Sequence, residues 1–384
     1  MDFALTEEQV LFRKQIVDFA HKRLNEGVVE RDEASTFDRA GFMACAELGL
    51  LGLPVPEQYG GLGLDVVSCM VAMEALGYGA ADQGLAFAVN TQLWTCELPI
   101  LKFGTEAQKQ RYLPKLVTGE LIGGHATSEP GSGSDAFAMQ TKAVEDGDHW
   151  VINGSKTFIT NAPIADVLII FASTATGEKR GFGGGLSAFL VDMDTPGVSV
   201  GRPLHKMGLR TSPTAEVTLD EVRVPATAML GRKGGGAAIF NSEMEWERSC
   251  LFACHLGAME RQLERCVTYA QERVQFGQPI GNYQAVSHRI ANMKLRVEMA
   301  RPMLYKVGWL KDRGERAVLE AAIAKLYVSE AYVQSSLDAV AIHGGYGYMA
   351  EYEMERMLRD SVGSVLYSGT SDIQRNLIAR WLGL

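Results

Sequence analysis

The segment Ala126-Thr127-Ser128-Glu129-Pro130-Gly131-Ser132-Gly133-Ser134-Asp135 marks the place where the character of the chain changes. Its glycines and small hydroxyl residues would let the backbone approach a planar heterocycle or a phosphate closely. The same composition also suits a surface turn. Because the segment separates a helical first third from a series of short strand-like runs, the fold prediction starts here.

The chain before this loop has the pattern of helices. Thr6-Glu7-Glu8-Gln9 is a capping-box sequence, and apolar residues follow it at near-helical spacing as far as Leu24. Further helices are predicted at about 37–49, 65–78 and 105–116. We therefore expect a helical N-terminal domain over residues 1–120.

From about Leu121 the sequence contains short strand-like runs separated by turn signals. The signals are Asn153-Gly154, Pro196-Gly197 and a glycine-rich loop at Gly181 to Gly185. That loop lacks the Gly-x-Gly-x-x-Gly spacing and a following helix, so we expect a flexible hairpin rather than a phosphate cradle. The runs, at 150–152, 157–160, 167–171, 188–191, 198–200 and 215–219, predict a small β barrel or sandwich over residues 121–231.

After Pro225 the pattern returns to helices, predicted at about 237–273, 283–313 and 315–342, with shorter ones from Glu351 and Ser371. Helices of this length suit a four-helix bundle, which can also supply a subunit interface. The predicted fold class is α+β and multidomain. A helical N-terminal domain, a small middle β domain and a C-terminal bundle over residues 232–384 make up the chain.

Composition and charge exclude several classes of protein. Of the 384 residues, 47% are hydrophobic and 22% charged, as in a globular enzyme. The net charge of −9 argues against a general nucleic-acid binder, and no apolar run predicts a membrane span. The six scattered cysteines favour reduced, buried thiols, and no targeting pattern is seen, so we expect a cytoplasmic protein. Cys250, Cys254 and His255 lack a paired metal-ligand spacing, and we expect core packing rather than a metal site there.

Five ordered motifs resemble those of the acyl-CoA dehydrogenase family, and together they span about Ala126 to Arg375. The loop at 126–135 is similar to the family's Thr-Glu-Pro-x-x-Gly-Ser-Asp segment, with Ser128 at the hydroxyl position. Phe158-Ile159-Thr160 resembles its Trp-Ile-Thr segment. Arg273-Val274-Gln275-Phe276-Gly277 with Gln284 resembles its Arg-x-x-Phe-Gly…Gln pattern. The remaining two motifs are His343-Gly344-Gly345-Tyr346-Gly347-Tyr348 and Gly369-Thr370-Ser371-Asp372-Ile373-Gln374-Arg375.

The resemblance implies FAD bound between the β domain and the bundle. Thr127, Ser128, Phe158 and Thr160 would hold the flavin ring, with Thr160 near flavin N5. Arg273 and the 341–345 turn would hold the adenine and pyrophosphate end, partly across a subunit boundary, so a homotetramer or dimer is expected. The full predicted cofactor set is His125, Thr127, Ser128, Phe158, Ile159, Thr160, Arg273, Phe276, Gln284, Ala341, Ile342, His343, Gly344, Gly345, Thr370 and Asp372.

The reaction of this family requires a carboxylate base for the α proton, donors for the thioester oxyanion and flavin N5 as hydride acceptor. Many members carry the base directly before the Gly-Thr element, where this chain has Ser368. A serine hydroxyl is too weak a base without an activating partner. The isovaleryl and long-chain branches carry the base before a bundle arginine, which implies Glu247 before Arg248. The alternative for Glu243, Glu245 and Glu247 is an acidic, solvated helix start.

The implied substrate is a short, branched or cyclic acyl thioester, either acyl-CoA or an acyl or aminoacyl group tethered to a carrier protein. The predicted substrate-binding residues are Ser134, Glu245, Arg248, Ser368 and Gly369. Trp94 and Trp246 would either shorten the acyl cavity or pack in a helical core. An electron-transfer flavoprotein or oxygen would accept the electrons. An oxidase or monooxygenase, and a catalytically silent flavin-binding protein, are the alternatives.

Overall fold

The computed structural model of the protein describes residues 4–175 and 185–384, and its N-terminal third is helical. Thr6 and Thr105 begin helices with reciprocal capping boxes, in which Gln9 and Gln108 bond back to the cap backbone. The predicted helices at 37–49, 65–78 and 105–116 are confirmed as α3, α4 and α7. The helices are α1 (Glu7–Arg23), α2 (Val28–Ala34), α3 (Arg39–Glu47), α4 (Val66–Gly79), α5 (Gln83–Gln92), α6 (Leu98–Phe103) and α7 (Glu106–Val117).

The middle of the chain forms a mixed sheet, whose strand order is β6-β7-β3-β2-β4-β5-β8 with β1 beside β4. Strand β1 runs parallel to β4, whereas β3 and β7 form a long antiparallel pair. The alternating or fully apolar burial of these strands builds a separate sheet core. The strands are β1 (Gly123–Ala126), β2 (Lys142–Asp146), β3 (His149–Thr160), β4 (Val167–Ser173), β5 (Leu186–Asp192), β6 (Val198–Val200), β7 (Thr214–Pro225) and β8 (Met229–Leu230).

Strand β3 corrects one prediction. The sequence predicts two strands around a turn at Asn153-Gly154, but both belong to one strand with an irregular register at this point. The Asn153 side chain bonds to Glu221 on β7, through its amide to the carboxylate (2.7 Å) and through its oxygen to the backbone N–H (2.8 Å). A Cβ at Gly154 would come within 2.3 Å of Thr141 Oγ1. The pair therefore makes a bulge inside a strand rather than a hairpin turn.

The C-terminal third is the predicted set of long helices. Helix α8 passes through a π-helical turn at Glu247–Leu251 directly into α9, and a small hairpin of β9 and β10 leads from α9 to α10. Helix α9 packs against α4, α10 and α11, so it lies at the centre of the bundle. The elements are α8 (Gly236–Trp246), α9 (Phe252–Glu272), β9 (Val274–Gln275), β10 (Gln278–Pro279), α10 (Gln284–Asp312), α11 (Val318–His343), α12 (Met354–Gly363) and α13 (Ser371–Trp381).

Two glycines bring the N-terminal helices against the bundle. A Cβ at Gly77 of α4 would lie 1.8 Å from the carbonyl oxygen of Cys254, and one at Gly257 of α9 would lie 2.0 Å from that of Glu74. Any side chain at either position would push the two helices apart. This close crossing holds α9 and the residues just before it in a fixed position relative to α4 and the segments that follow it.

The six cysteine thiols are free and buried, so the prediction of buried thiols is confirmed. Cys250, Cys254 and His255 lie in the helical core, where the His255 ring stacks on Tyr332. Residues 181–184 of the predicted glycine-rich hairpin lie outside the described residues. Across residues 4–175 and 185–384, no helix combines the length and the apolar character needed to cross a membrane.

Candidate active site

The loop that opens the sheet domain is braced by a buried ion pair. Lys156 Nζ lies 2.8 Å from Glu129 Oε1, and both side chains are almost fully buried. The same carboxylate accepts a hydrogen bond from the backbone N–H of Thr141 (2.9 Å), and the N–H of Thr157 donates to the carbonyl of Ser128 (2.9 Å). These contacts fix the loop of residues 126–135 against β3.

The residues predicted around the flavin ring fit a bound planar heterocycle. Phe158 has a left-handed backbone (φ 57°), and its side chain is 70% exposed, an unusual position for a large apolar ring. The Thr127 hydroxyl is buried and has no hydrogen-bond partner among the described residues. A stacked ring with polar edges would cover the Phe158 side chain and would give the Thr127 hydroxyl a hydrogen-bond partner. The side chain of Ile159 lies in the sheet core, so only its backbone is available to a cofactor.

The predicted base lies in the π-helical turn that joins α8 to α9. Glu247 is 6% exposed, and its Oε1 accepts a hydrogen bond from Ser368 Oγ at 2.8 Å. Its Oε2 is buried without a hydrogen-bond partner among the described residues. The alternative of a solvated acidic helix start is therefore wrong for Glu247. The structure brings together the two positions at which the family would carry the base, and it leaves one carboxylate oxygen free to accept a proton.

The turn that carries Ser368 is held by its backbone. Ser368 and Gly369 both have left-handed conformations (φ 56° and 86°). The Ser368 carbonyl accepts hydrogen bonds from Arg248 Nε (2.9 Å) and Gln374 Nε2 (3.1 Å), and Gln374 also donates to the Gly369 carbonyl (2.9 Å). Burial lowers the pKa of Arg248 to about 10, a value at which the guanidinium remains charged at neutral pH. Three predicted substrate residues, Arg248, Ser368 and Gly369, thus form one unit around Glu247.

A second buried carboxylate lies one helical turn before the base. Glu243 is 1% exposed, and its Oε1 is in direct contact with Nδ1 of His125, the residue that precedes the loop at 126–135. Burial raises the pKa of Glu243 to about 7, although the nearby His125 opposes the shift. This contact joins the strand before the flavin loop to the helix that carries the base.

Glu245 and Trp246, which lie between Glu243 and Glu247 in the sequence, make a different set of contacts. Glu245 pairs with Lys311 Nζ at 3.0 Å, and Lys311 also lies over the Trp246 ring, 5.0 Å from its centroid. Trp246 stacks on Trp94, which is fully buried in the π-helical turn Leu93–Glu97, with ring centroids 5.9 Å apart. Trp94 therefore belongs to the helical core and also packs against Trp246, the residue next to the predicted base Glu247.

The predicted adenine and pyrophosphate residues line a separate groove. Arg273, Ile342, His343, Gly344 and Gly345 share a cavity of about 520 Å³. The His343 ring stacks on Tyr269 (4.2 Å between centroids), and the Arg273 guanidinium lies 5.4 Å from the Tyr346 ring centroid. Apart from the chain neighbours, no atom of the described residues lies within 4 Å of a Cβ placed on Gly344 or Gly345. A guanidinium, aromatic rings and an open glycine turn suit a nucleotide with its phosphates.

This groove is far from the base within one chain. Glu247 and Arg273 are joined by the π-helical turn and α9, a nearly continuous helical stretch that at about 1.5 Å per residue separates them by roughly 40 Å. A single FAD cannot reach from Glu247 to Arg273 in the same chain.

The remaining predicted cofactor and substrate residues lie at a helix cap or on the surface of this chain. Thr370 caps α13 by accepting a hydrogen bond from the Ile373 N–H (3.3 Å), and the Asp372 side chain is 90% exposed. Phe276, at the tip of the β9–β10 hairpin, is 94% exposed. Ser134, Gln284 and Ala341 are also exposed on this chain.

Sequence reasoning missed the partners of several of these residues. It did not pair His125 with Glu243, Lys311 with Glu245, or Gln374 with the carbonyls of Ser368 and Gly369. Only Gln374 had a usable signal, because it lies inside the Gly-Thr motif. The other two pairs join residues more than 60 positions apart, and no pattern in a single sequence indicates them.

Family models cover the three parts of the chain. They are the acyl-CoA dehydrogenase N-terminal domain over residues 6–120, the middle domain over 124–222 and the C-terminal domain over 234–383. The chain is 43% identical to the L-prolyl-[peptidyl-carrier protein] dehydrogenase of Pseudomonas fluorescens, with 100% of both chains covered. Curated relatives from Bacillus subtilis with 42% identity are named acyl-CoA dehydrogenase or probable acyl-CoA dehydrogenase.

Solved structures give the same result. The crystal structure of the prolyl acyl carrier protein oxidase AnaB superposes with a TM-score of 0.97 at 46% identity, covering 99% of this chain and 100% of the other. A structure of PigA with FAD and proline superposes with a TM-score of 0.97 at 39% identity over 100% of both chains. The three-domain fold predicted from the sequence is thereby confirmed, and the residues of both clusters fit the cofactor. The chain belongs to the acyl-CoA dehydrogenase family and is an FAD-dependent oxidoreductase that acts on a CH–CH bond.

Proposed function

We propose that Glu247 removes the α proton of a short, branched or cyclic acyl thioester. The observation that carries this proposal is the 2.8 Å hydrogen bond from Ser368 Oγ to Glu247 Oε1. Ser368 occupies the usual position of the base but donates its proton to a buried carboxylate, so the carboxylate is the proton acceptor of the pair. The free Oε2 of Glu247 would face the α carbon.

The clamped turn at Ser368 would stabilise the thioester oxyanion. Arg248 and Gln374 both hold the Ser368 carbonyl, so the peptide planes of the turn have little freedom to rotate. Its backbone N–H can therefore be preorganised towards the carbonyl oxygen of the substrate, which is the arrangement that stabilises negative charge as it develops. This role needs no side chain at position 368.

FAD would be held by two groups of residues from different chains. Thr127, Ser128, Phe158 and Thr160 would hold the flavin ring beside Glu247. Arg273, His343 and the Gly344-Gly345 turn of a neighbouring subunit would bind the adenine and pyrophosphate, because the same chain's groove is roughly 40 Å away. When bound, the flavin accepts the hydride from the β carbon. The assembly is therefore proposed to be a dimer or tetramer.

The acyl cavity would be short. The Trp94–Trp246 stack fills the space between the π-helical turn at Leu93–Glu97 and the helix of the base with two large rings. Two relatives named above act, by their names, on prolyl groups of carrier proteins, and we include a carrier-tethered acyl or aminoacyl group beside acyl-CoA. Ser134, Glu245 and Arg248 would contact the pantetheine arm, which both kinds of thioester share. The protein is proposed to be cytoplasmic, and its electron acceptor is proposed to be an electron-transfer flavoprotein or oxygen.

Replacing Glu247 tests the proposal. Glu247→Gln should keep FAD and bind substrate, yet lose several orders of magnitude in the rate of anaerobic flavin reduction, because the amide cannot accept the proton. Ser368→Ala removes one hydrogen bond and should reduce the rate about 10-fold or less. Stopped-flow absorbance of the flavin, with acyl-CoA and acyl-pantetheine substrates, measures both.

These measurements, together with one assay in air, distinguish the alternatives. Substantial activity in Glu247→Gln, or a collapse in Ser368→Ala alone, would place the base elsewhere. A wild-type flavin that no acyl thioester reduces would indicate a catalytically silent protein. Peroxide formation in air without another acceptor would identify an oxidase.

A further inference from the structure

Glu243 is a buried carboxylate to which the proposed mechanism gives no task. It is 1% exposed, and its close polar contact among the described residues is His125 Nδ1. Neither of its carboxylate oxygens has a hydrogen bond of acceptable geometry among those residues. A carboxylate that loses its hydrating water without gaining enough hydrogen-bond donors is costly to bury. Such a group indicates a site where a ligand supplies the missing donors.

The surroundings of this carboxylate favour a cationic donor. The His125 ring meets the edge of Phe171 (6.4 Å, 84°), and Phe171 in turn meets Phe240, so one side of the pair is aromatic. Burial raises the pKa of Glu243, His125 opposes this shift, and the charge of Glu247 adds to it. The positive charges of Arg248 and Lys325 act on Glu247. The basic group that acts on Glu243 is His125, so Glu243 is placed to accept a further cation.

The position of Glu243 relative to the base defines where such a donor would lie. The two glutamates are four residues apart, and side chains at this spacing are neighbours on one helix face, about 5–6 Å apart at Cβ. Glu247 would take a proton from the α carbon of the thioester. A substituent on that same carbon is one bond away, and it lies within reach of the next helical turn.

We propose that Glu243, with His125, recognises a protonated amine on the α carbon of the substrate and so selects aminoacyl thioesters. This inference deepens the proposed function and rests on Glu247 being the base. The ammonium would supply the N–H donors that the free Glu243 oxygen lacks. By engaging the amine, Glu243 would also leave Oε2 of Glu247 for the α proton.

A pair of substrates that differ only at this amine tests the inference. The probes are the S-pantetheine thioesters of L-proline and of cyclopentanecarboxylic acid, in which a methylene group replaces the ring nitrogen. Anaerobic flavin reduction by the wild-type holoenzyme should favour the prolyl compound about 10-fold or more in the ratio of reduction rate to dissociation constant. In Glu243→Gln this ratio should fall about 10- to 100-fold for the prolyl thioester and change little for the carbocycle.

Glu74→Gln is the matched control, since Glu74 is also a buried glutamate but pairs with Arg301 and Tyr305 on α10. It should leave the preference between the two substrates unchanged. An equal loss for both substrates in Glu243→Gln, with FAD content and melting temperature retained, would assign the pair a structural role and overturn the inference. The wild-type comparison decides the matter even if the variant does not fold.

The outcomes for the inference and for the proposed function are separable. A wild-type enzyme that reduces its flavin with the carbocycle but not with the prolyl thioester keeps the proposed function and overturns the inference. A wild-type enzyme that responds to neither probe nor to any other short acyl thioester overturns both.

Discussion

Ser368 is placed by its backbone more than by its side chain. A left-handed conformation at a non-glycine residue costs about 1–2 kcal/mol, and here the cost is offset by the hydrogen bonds that Arg248 and Gln374 make to the Ser368 carbonyl. A turn maintained in this way keeps its N–H in place whatever side chain it carries. In the proposed mechanism, the carboxylate base can therefore lie on a different element of the fold while the N–H of residue 368 keeps its position as oxyanion donor.

His255 should make the stability of the protein depend on pH. It lies in the core, hydrogen-bonded to the Tyr367 hydroxyl at 2.6 Å, and burial lowers its pKa to about 3, with Lys325 adding to the shift. The unfolded chain has a histidine pKa of about 6.5, so it binds more protons than the folded chain between these values. Stability contributed by the neutral ring is full above pH 6.5 and falls as the pH decreases towards 3, by at most about 1.4 kcal/mol per unit.

The variant His255→Gln keeps a polar partner for Tyr367 and removes the titration. Its melting temperature, measured between pH 7 and pH 5, should decline less steeply than that of the wild type. If the two slopes are equal over this range, His255 does not titrate as the structure indicates.

At the scale of single residues, the sequence predicts a role where local context carries the signal. Glu247 can be predicted as the base because an arginine follows it and Ser368 stands where the family usually has the base. The contact of Glu243 with His125 could not be predicted. The two residues are 118 positions apart, and only the folded structure brings α8 and β1 together there. Long-range pairing of this kind leaves no mark in one sequence.

The same limit holds for whole elements. Amphipathic helices such as α1 and α7 have caps and a polar face, and their ends are predicted to within about two residues. Helix α5 and the π-helical turn after it are buried on almost every side, so no hydrophobic period indicates them. At Asn153-Gly154 the sequence predicts a turn where the structure has a bulge, because an Asn-Gly pair occurs in both.

The ion pair beneath the loop at 126–135 should be important for both stability and FAD binding. Lys156→Met would leave Glu129 buried without its counter-charge, which typically costs about 3–5 kcal/mol. Because Glu129 also holds the Thr141 N–H, the loop should loosen and the FAD dissociation constant should rise. Denaturant unfolding and flavin titration of the apoprotein measure the two effects.

Lys294→Met is the control for this prediction. Lys294 pairs with Glu298 on the exposed face of α10, where both side chains are more than half exposed. Such surface pairs contribute about 0–1 kcal/mol, so this variant should unfold and bind FAD much as the wild type does. Similar losses in both variants would show that burial of the Lys156 pair has no special effect.

At the scale of the whole molecule, helix α9 and the π-helical turn before it separate two half-sites. The proposed base and the proposed ring-binding residues lie at one end, and Arg273 with the 341–345 turn lies at the other. Two chains arranged about a two-fold axis would bring unlike ends together and complete two equivalent sites at once. The sequence resemblance implies this division, and the length of α9 gives its physical reason.

The exposed hairpin between α9 and α10 should therefore act on the cofactor of the other chain. We expect the wild type to contain one FAD per chain and to have the mass of a dimer or tetramer by light scattering. Phe276 is 94% exposed at the hairpin tip, where its ring meets only the edge of Tyr283 (6.3 Å between centroids) among the described residues. Phe276→Ser therefore removes little packing within its own chain and should fold normally, yet lose FAD on gel filtration. Val144→Ser, a change at another exposed apolar residue (61%) on strand β2, should retain its FAD. A monomeric wild type with full flavin content would contradict the shared site, and full FAD retention in Phe276→Ser would remove the hairpin from it.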